Sequence, residues 1–181
     1  MFDQFLKRGR RAALAALLIA LGLGGAHAAQ AADVVLRVDG LACPFCAFGI
    51  EKKLLAVPAV EGIDVRMNEG RVILRLREGE RLDLAALDAA VEDAGFTLRK
   101  ILIEDAVGTL SKGGAGELVL RCSAPPATFR LHLAGEDAAP GAEAGSTVAV
   151  SGTVEEYGAD PAPLVVTSLR PVAPGSGEET P

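Results

Sequence analysis

Hydrophobic and polar positions alternate with two different periods along the first half of the chain. The segments, in order, are strand 33–39, helix 46–57, strands 60–67 and 72–76, helix 84–94 and strand 96–104. Pro58 ends the first helix, and Asp83 is placed to cap the second. We expect the inward face of the first helix to carry Ile50, Leu54, Leu55 and Val57. The order βαββαβ predicts a ferredoxin-like α+β domain over residues 33–104, with both helices on one face of an antiparallel sheet.

The second half of the chain shows only the period of β-strands. Candidate strands cover residues 117–122, 128–133, 147–154 and 164–169. Short strands of this kind close into a small barrel or sandwich to hide their edges, and the last two faintly resemble the closing strands of an OB-fold barrel. The sequence therefore predicts a small all-β domain over residues 117–170. Glycines between Gly108 and Gly116 predict a linker over residues 105–116, and the Pro-, Gly- and Glu-rich tail 171–181 is predicted to be disordered.

Residues 1–31 have the pattern of a signal peptide. Four basic residues precede the uncharged run 12–26, and small-x-small sites end at Ala28 and Ala31. Cleavage after Ala31 is favoured, because Asp33 then lies close to a polar mature end. The apolar run is shorter than the roughly 20 residues that span a bilayer as a helix, so we expect no membrane insertion after cleavage, with a retained anchor as the alternative. The leader predicts export, most simply to a bacterial periplasm.

Composition narrows the classes of function. The chain carries a net charge of −6 and has 4% aromatic residues, and removal of the basic leader makes the remainder more acidic. Such a surface has little affinity for a phosphate backbone, so we expect no nucleic-acid partner. Three cysteines are too few for a disulfide framework and indicate one local pair with a spare thiol. The sequence shows no catalytic set of side chains, and we expect a protein that is not an enzyme.

Cys43 and Cys46 form a Cys-Pro-Phe-Cys motif between the first strand and the first helix. Thiolates near a helix N-terminus are stabilised by its partial positive charge. Two such sulfurs fit a soft cation, Cu(I) or Hg(II), better than tetrahedral zinc, which requires more ligands. The same pair also supports disulfide exchange. From the residues alone, both a soft-metal carrier and a periplasmic dithiol-disulfide oxidoreductase remain open.

The motif and its surroundings resemble the heavy-metal-associated domain family. The resemblance rests on Gly40-Leu41-Ala42-Cys43-Pro44-Phe45-Cys46, a following helix, a Val-Pro-Ala-Val turn and Ala94-Gly95-Phe96. It covers residues 33–104 and implies that Cys43 and Cys46 bind a soft metal ion, as in copper chaperones and a periplasmic mercury-binding protein. It also implies transfer of that ion to a metal transporter or a like-folded metal-binding domain. Leu41 stands where the family has methionine, and Pro44 is the residue found in thioredoxin-like motifs.

Other residues have both a structural and a functional interpretation. Cys122 is either a buried apolar residue or a third ligand, and His132 is expected to face solvent. In the family, an aromatic residue at the position of Phe96 modulates the site. The resemblance also implies that lysines such as Lys52 and Lys53 help to dock an acidic partner, whereas the ordinary interpretation is a solvated helix face. Phe45 is expected to be exposed, and arginines are expected to cover the open face of the sheet: Arg66, Arg71, Arg75 and Arg77.

Overall fold

The computed structural model describes residues 32–41, 44–114, 116–133 and 143–172. The predicted leader, residue Cys43 and positions 173–181 of the predicted tail lie outside the described residues. Within the described part, neither helix has the length and apolar character needed to cross a bilayer.

The first half of the chain has the predicted βαββαβ order. Its elements are β1 (Asp33–Asp39), α1 (Pro44–Leu54), β2 (Val60–Arg66), a 3₁₀ turn (Met67–Glu69), β3 (Arg71–Leu76), α2 (Leu84–Asp93) and β4 (Thr97–Lys112). Asp83 caps α2 as predicted, since its carboxylate accepts a hydrogen bond of 3.0 Å from the Ala86 N–H.

These four strands are antiparallel and lie in the order β2-β3-β1-β4. Alternation along β1 sends Val34, Leu36 and Val38 into the core, where they join the buried residues of both helices. The prediction that Leu55 faces inward is wrong. Its side chain is 43% exposed, whereas Ile50 and Leu54 are fully buried. The difference is angular: Leu55 lies about 100° around the helix from Leu54.

The second half supplies four more strands, close to the predicted ones. They are β5 (Leu118–Ser123), β6 (Pro126–Leu133), β7 (Thr147–Val154) and β8 (Ala162–Pro171). Hydrogen bonding runs in the order β4-β5-β6-β8-β7, and β7 pairs again with β4, so these pairings form a ring. The β6–β8 pair is parallel and the others are antiparallel.

Strand β4 belongs to both halves of the protein. It pairs with β1 through residues 97–104 and with β5 through residues 108–112, while β7 covers its other edge from Ile101 to Thr109. The predicted linker over 105–116 is therefore wrong for residues 105–112, which continue this strand. One apolar cluster contains buried residues from both halves, so they share a core. The predicted tail also starts too early, since Pro171 ends β8 and the Val172 N–H bonds to the Thr147 carbonyl.

The two ends of β1 define two poles of the molecule. At the end of Asp39 lie the β1–α1 loop, the β2–β3 turn and the α2–β4 turn; we call this the cysteine pole. At the other end, the Ala32 N–H donates to the Ala124 carbonyl, and the Leu82 N–H donates to the Pro126 carbonyl. We call this second end the ring pole. The seven residues of β1 separate the poles by about 20 Å.

Candidate metal centre

Cys46 lies in the first turn of α1, at the cysteine pole. The helix starts at Pro44, a residue suited to a first helical position because its missing N–H would lack a partner there in any case. Cys46 is half-buried and takes part in a disulfide bond. Its predicted companion Cys43 lies outside the described residues. The partial positive charge of the helix N-terminus lies at this turn.

The loop that leads to the motif is held by a close contact with Phe96. Gly40 has φ +87°, a conformation that L side chains rarely adopt, and a Cβ there would lie 3.5 Å from the Phe96 ring. Leu41, which follows Gly40, is only 5% exposed and packs in the common core. The chain therefore enters the motif along a constrained path. Phe96, the aromatic residue that the family resemblance links to the site, thus lies beside the loop that leads to the motif.

Two aromatic side chains beside Cys46 point to solvent. Phe45 is 89% exposed, as expected, and Phe48 is 70% exposed. Sequence reasoning missed Phe48. The signal was present in its spacing of three from Phe45, which places both rings on one side of the helix, away from Ile50 and Leu54.

The two lysines that have either a docking role or a solvated position, Lys52 and Lys53, differ in their surroundings. The Lys53 ammonium forms an ion pair of 3.3 Å with Asp93 on α2, whereas Lys52 is exposed. Lys53 therefore ties the two helices together at the surface. An exposed ion pair of this kind contributes little to stability, on the order of 0.5 kcal/mol.

Arginines cover the face of the sheet that carries no helix, as predicted. Arg71 and Arg75 alternate with the buried Val72 and Leu74 on β3, and Arg66 pairs in register with Arg71. The hydrogen bond and charge of Asp64 raise the pKa of Arg66 above its ordinary value. Arg77 lies at the sheet edge, where its guanidinium donates to the carbonyls of Pro58 and Val60.

Cys122 lies at the ring pole, far from Cys46. It is on β5, two residues before Ala124, and pairs in register with Gly108 and Ala127. Its thiol is free and half-buried, and burial raises the pKa of this thiol to about 12. The length of β1 rules out a third ligand from Cys122 to an ion on Cys46 of the same molecule. His132 is exposed, as expected.

Within the described ranges, no cluster of three or more His, Cys, Asp or Glu side chains is arranged to hold a metal ion.

The first half of the chain is a small α+β domain with the βαββαβ order and a cysteine in the first turn of its first helix. Comparison with known families makes this specific: residues 35–97 match the heavy-metal-associated domain, so this part of the chain is such a domain.

Known proteins resemble the same segment. Copper-transporting ATPase 2 of Rhizobium meliloti is 38% identical over 74 residues, which is 41% of this chain and 9% of the ATPase. The copper-exporting P-type ATPase of Mycobacterium tuberculosis is 33% identical over 72 residues, 40% of this chain and 9% of that protein. The solved CopZ metallochaperone is 24% identical, with a TM-score of 0.34 over 36% of this chain and 97% of its own. The chain thus spans about a tenth of the length of these ATPases.

Proposed function

We propose that this protein is an exported carrier of a soft metal ion. In its reduced form, Cys43 and Cys46 bind one Cu(I) or Hg(II) through two thiolates. The ion then moves to a metal transporter or a like-folded metal-binding domain as incoming thiolates replace these two. The protein itself catalyses no reaction.

The observation that carries the proposal is the position of Cys46. It lies in the first turn of a helix of a heavy-metal-associated domain, between Phe45 and Phe48, whose side chains are 89% and 70% exposed. Thiolate ligands select soft ions over hard ones. Between the two candidate ions, Cu(I) is favoured, because the similar segments of the relatives belong to copper-transporting ATPases.

The disulfide at Cys46 adds a condition for binding. A sulfur in a disulfide is a poor metal ligand, so the bond must first gain two electrons and two protons from a dithiol reductant. In an oxidising compartment, a bound metal ion also protects the two sulfurs, because while they hold the ion they cannot form the disulfide again. We therefore expect metal uptake only after reduction.

The leader supports a periplasmic location, and the ring of strands supports a structural or partner-binding role for the second half. We also propose that the second half is related to the OB-fold barrels, whose last two strands its own last two strands faintly resemble. Because β4 is common to both halves, the ring serves as a base for the sheet that carries the cysteine pole.

A second candidate function is a periplasmic dithiol-disulfide oxidoreductase. The specific observation in its favour is the disulfide at Cys46, together with the Cys-Pro-Phe-Cys order. The match of residues 35–97 to a metal-binding domain favours the carrier over this alternative.

Metal titration of the reduced full chain tests the carrier. We expect one Cu(I) per chain, retained against a chromophoric Cu(I) chelator. Cys46→Ser should lower the affinity by more than about a hundredfold, since loss of a ligand exceeds the effect of losing a residue that only supports one. Cys122→Ser should leave the affinity within about twofold, because the thiol lies at the opposite pole. An equal loss in both variants would contradict the two-thiolate site.

The oxidoreductase makes a different prediction in the same samples. It requires that the chain oxidise or reduce a dithiol substrate over many turnovers, with Cys46→Ser inactive. We expect instead a single stoichiometric reduction of the Cys46 disulfide and no turnover.

A further inference from the structure

Four large apolar side chains are exposed on the described surface; two of them lie on α1 and a third, Leu55, directly follows its last residue. Phe45 is 89%, Phe48 70% and Leu55 43% exposed, while Met67, at 38%, lies on the β2–β3 turn. Scattered apolar residues are ordinary on a protein surface, but a row of them on one element marks an interaction site.

These three side chains form one line on the helix. Spacings of three and seven residues bring Phe45, Phe48 and Leu55 to the same side of a 3.6-residue helix. Helical hydrogen bonding continues to the last of them, since the Leu55 N–H donates to the Glu51 carbonyl at 2.9 Å. The opposite side of α1 is buried through Ile50 and Leu54. The helix therefore has two apolar sides and buries only one; we call the exposed line the aromatic stripe.

The charges near the aromatic stripe do not form a strong docking patch. Lys52 lies four residues after Phe48, on the same side of the helix, and is exposed. The neighbouring Lys53 is paired with Asp93. One unpaired lysine beside two exposed phenylalanines favours a partner surface that is mainly apolar.

We propose that the aromatic stripe docks the protein that receives the metal ion, by inserting into an apolar groove of that acceptor. The inference rests on the proposed function. Thiolate exchange brings acceptor sulfurs to about 2.3 Å from an ion on Cys46, so the acceptor surface necessarily covers Phe45, the adjacent residue. From there the helix carries Phe48 and Leu55 along the same contact, as in helix-in-groove recognition.

The size of the aromatic stripe suits a short-lived complex. Two rings and one leucine supply the core of an interface well below the roughly 1,600 Å² that stable complexes bury. A carrier must release its acceptor after transfer, so a small apolar contact fits the task. Such a contact also makes association depend weakly on salt, unlike docking through lysines.

The test measures Cu(I) transfer from the loaded full chain to copper-transporting ATPase 2 of Rhizobium meliloti, at acceptor concentrations far below saturation. Phe48→Ser should slow the initial transfer by about tenfold or more, because aromatic anchors dominate small interfaces. Affinity of the donor for Cu(I), measured against a chelator, should change by less than about twofold because Phe48 is not a ligand. Leu55→Ser is a second variant, with a smaller reduction expected.

Met67→Ser is the matched control, since it removes an exposed apolar side chain from the same pole but off the stripe. It should leave transfer within about twofold of the wild type. Raising salt from about 50 to 500 mM should slow wild-type transfer by less than about threefold. Transfer by Phe48→Ser at the wild-type rate would overturn the proposal. A wild-type dimer that Phe48→Ser dissociates would also overturn it, by identifying the stripe as a contact between copies. If the wild-type chain binds no Cu(I), the proposed function itself fails, which is a separate result.

Discussion

Cys46 and Cys122 occupy opposite poles of one molecule, and their surroundings differ in almost every respect. Cys46 lies in the first turn of a helix, next to exposed aromatic rings, and takes part in a disulfide bond. Cys122 lies on a strand inside the ring, where burial raises the pKa of its thiol to about 12. The environment of Cys46 favours thiol–disulfide or thiolate–metal exchange, whereas the environment of Cys122 keeps its sulfur protonated.

The difference teaches that a cysteine's neighbours, rather than its presence, decide its chemistry. A thiol that belongs to no site is open to oxidation unless its reactivity is suppressed. Here the second half of the protein supplies that suppression for Cys122 by burial, whereas Phe45, next to Cys46, is 89% exposed. The predictions below test this division of roles, in addition to the metal-binding and transfer experiments above.

The largest expected effect comes from a glycine of the ring. A Cβ on Gly152 would lie 2.5 Å from the Val165 carbonyl oxygen and 3.0 Å from the Leu164 side chain. Gly152→Val should therefore destabilise the protein by about 3 kcal/mol, because the closely packed strands cannot separate to admit the side chain. Urea unfolding followed by circular dichroism measures the loss. Gly158→Ala is the control, since nothing lies within 4 Å of a Cβ there.

The same variant tests how closely the two poles are coupled. Because both halves share β4 and a common core, amides of β1 should lose hydrogen-exchange protection together with those of β7 in Gly152→Val. If β1 stays protected while β7 exchanges freely, the two halves unfold separately and the comparison describes two independent domains.

A smaller effect is expected from the pH dependence of stability through Cys122. Its pKa is about 12 in the folded protein and about 8.5 in an unfolded chain, so the folded state retains a proton that the unfolded state loses. The stabilising contribution is complete below pH 8.5 and declines as pH rises from there toward 12. Relative to Cys122→Ala, the wild type should lose on the order of 1 kcal/mol between pH 8 and 10. Parallel stability curves for the two proteins over this range would show that Cys122 is not sealed in the fold.

The smallest effect is expected from an ion pair near the cysteine pole. Lys53→Ala breaks the contact with Asp93 and should cost about 0.5 kcal/mol or less, since both side chains are largely exposed. The loss should vanish in 1 M salt, and chemical denaturation at low and high salt measures both values. A loss above about 2 kcal/mol would mean that α1 and α2 depend on this pair, contrary to the view that apolar packing holds the cysteine pole.

Sequence periodicity was sufficient for the elements of this protein. The alternation along β1 and the spacing of Ile50 and Leu54 follow directly from strand and helix geometry, so residues 33–104 could be assigned without coordinates. The motif itself located Cys46 at a helix start. These signals depend only on residues close together in the chain, so a single sequence is enough to recognise them.

Two failures have non-local causes. Gly108 was assigned to a linker on composition, but its place is in a strand where a Cβ would lie 2.5 Å from the Arg121 carbonyl oxygen. A glycine required for close strand approach looks the same in sequence as one that gives flexibility. Leu55 was assigned to the buried face of α1, although Leu54 and Val57 on either side of it face the core and Leu55 does not. Which apolar side of a helix is buried depends on the elements that pack against the helix, and the sequence of the helix alone does not identify those elements.

The shared strand also limits where this protein can be divided. Ending the chain at residue 104 would leave Ile101 and Ile103 on a β4 whose outer edge had lost its β7 neighbour. An apolar edge strand with free backbone donors and acceptors is a template for aggregation. Residues 35–97 are therefore a recognisable unit by homology, but we expect that unit to need the strands of the second half, so a minimal version of the protein should keep both halves.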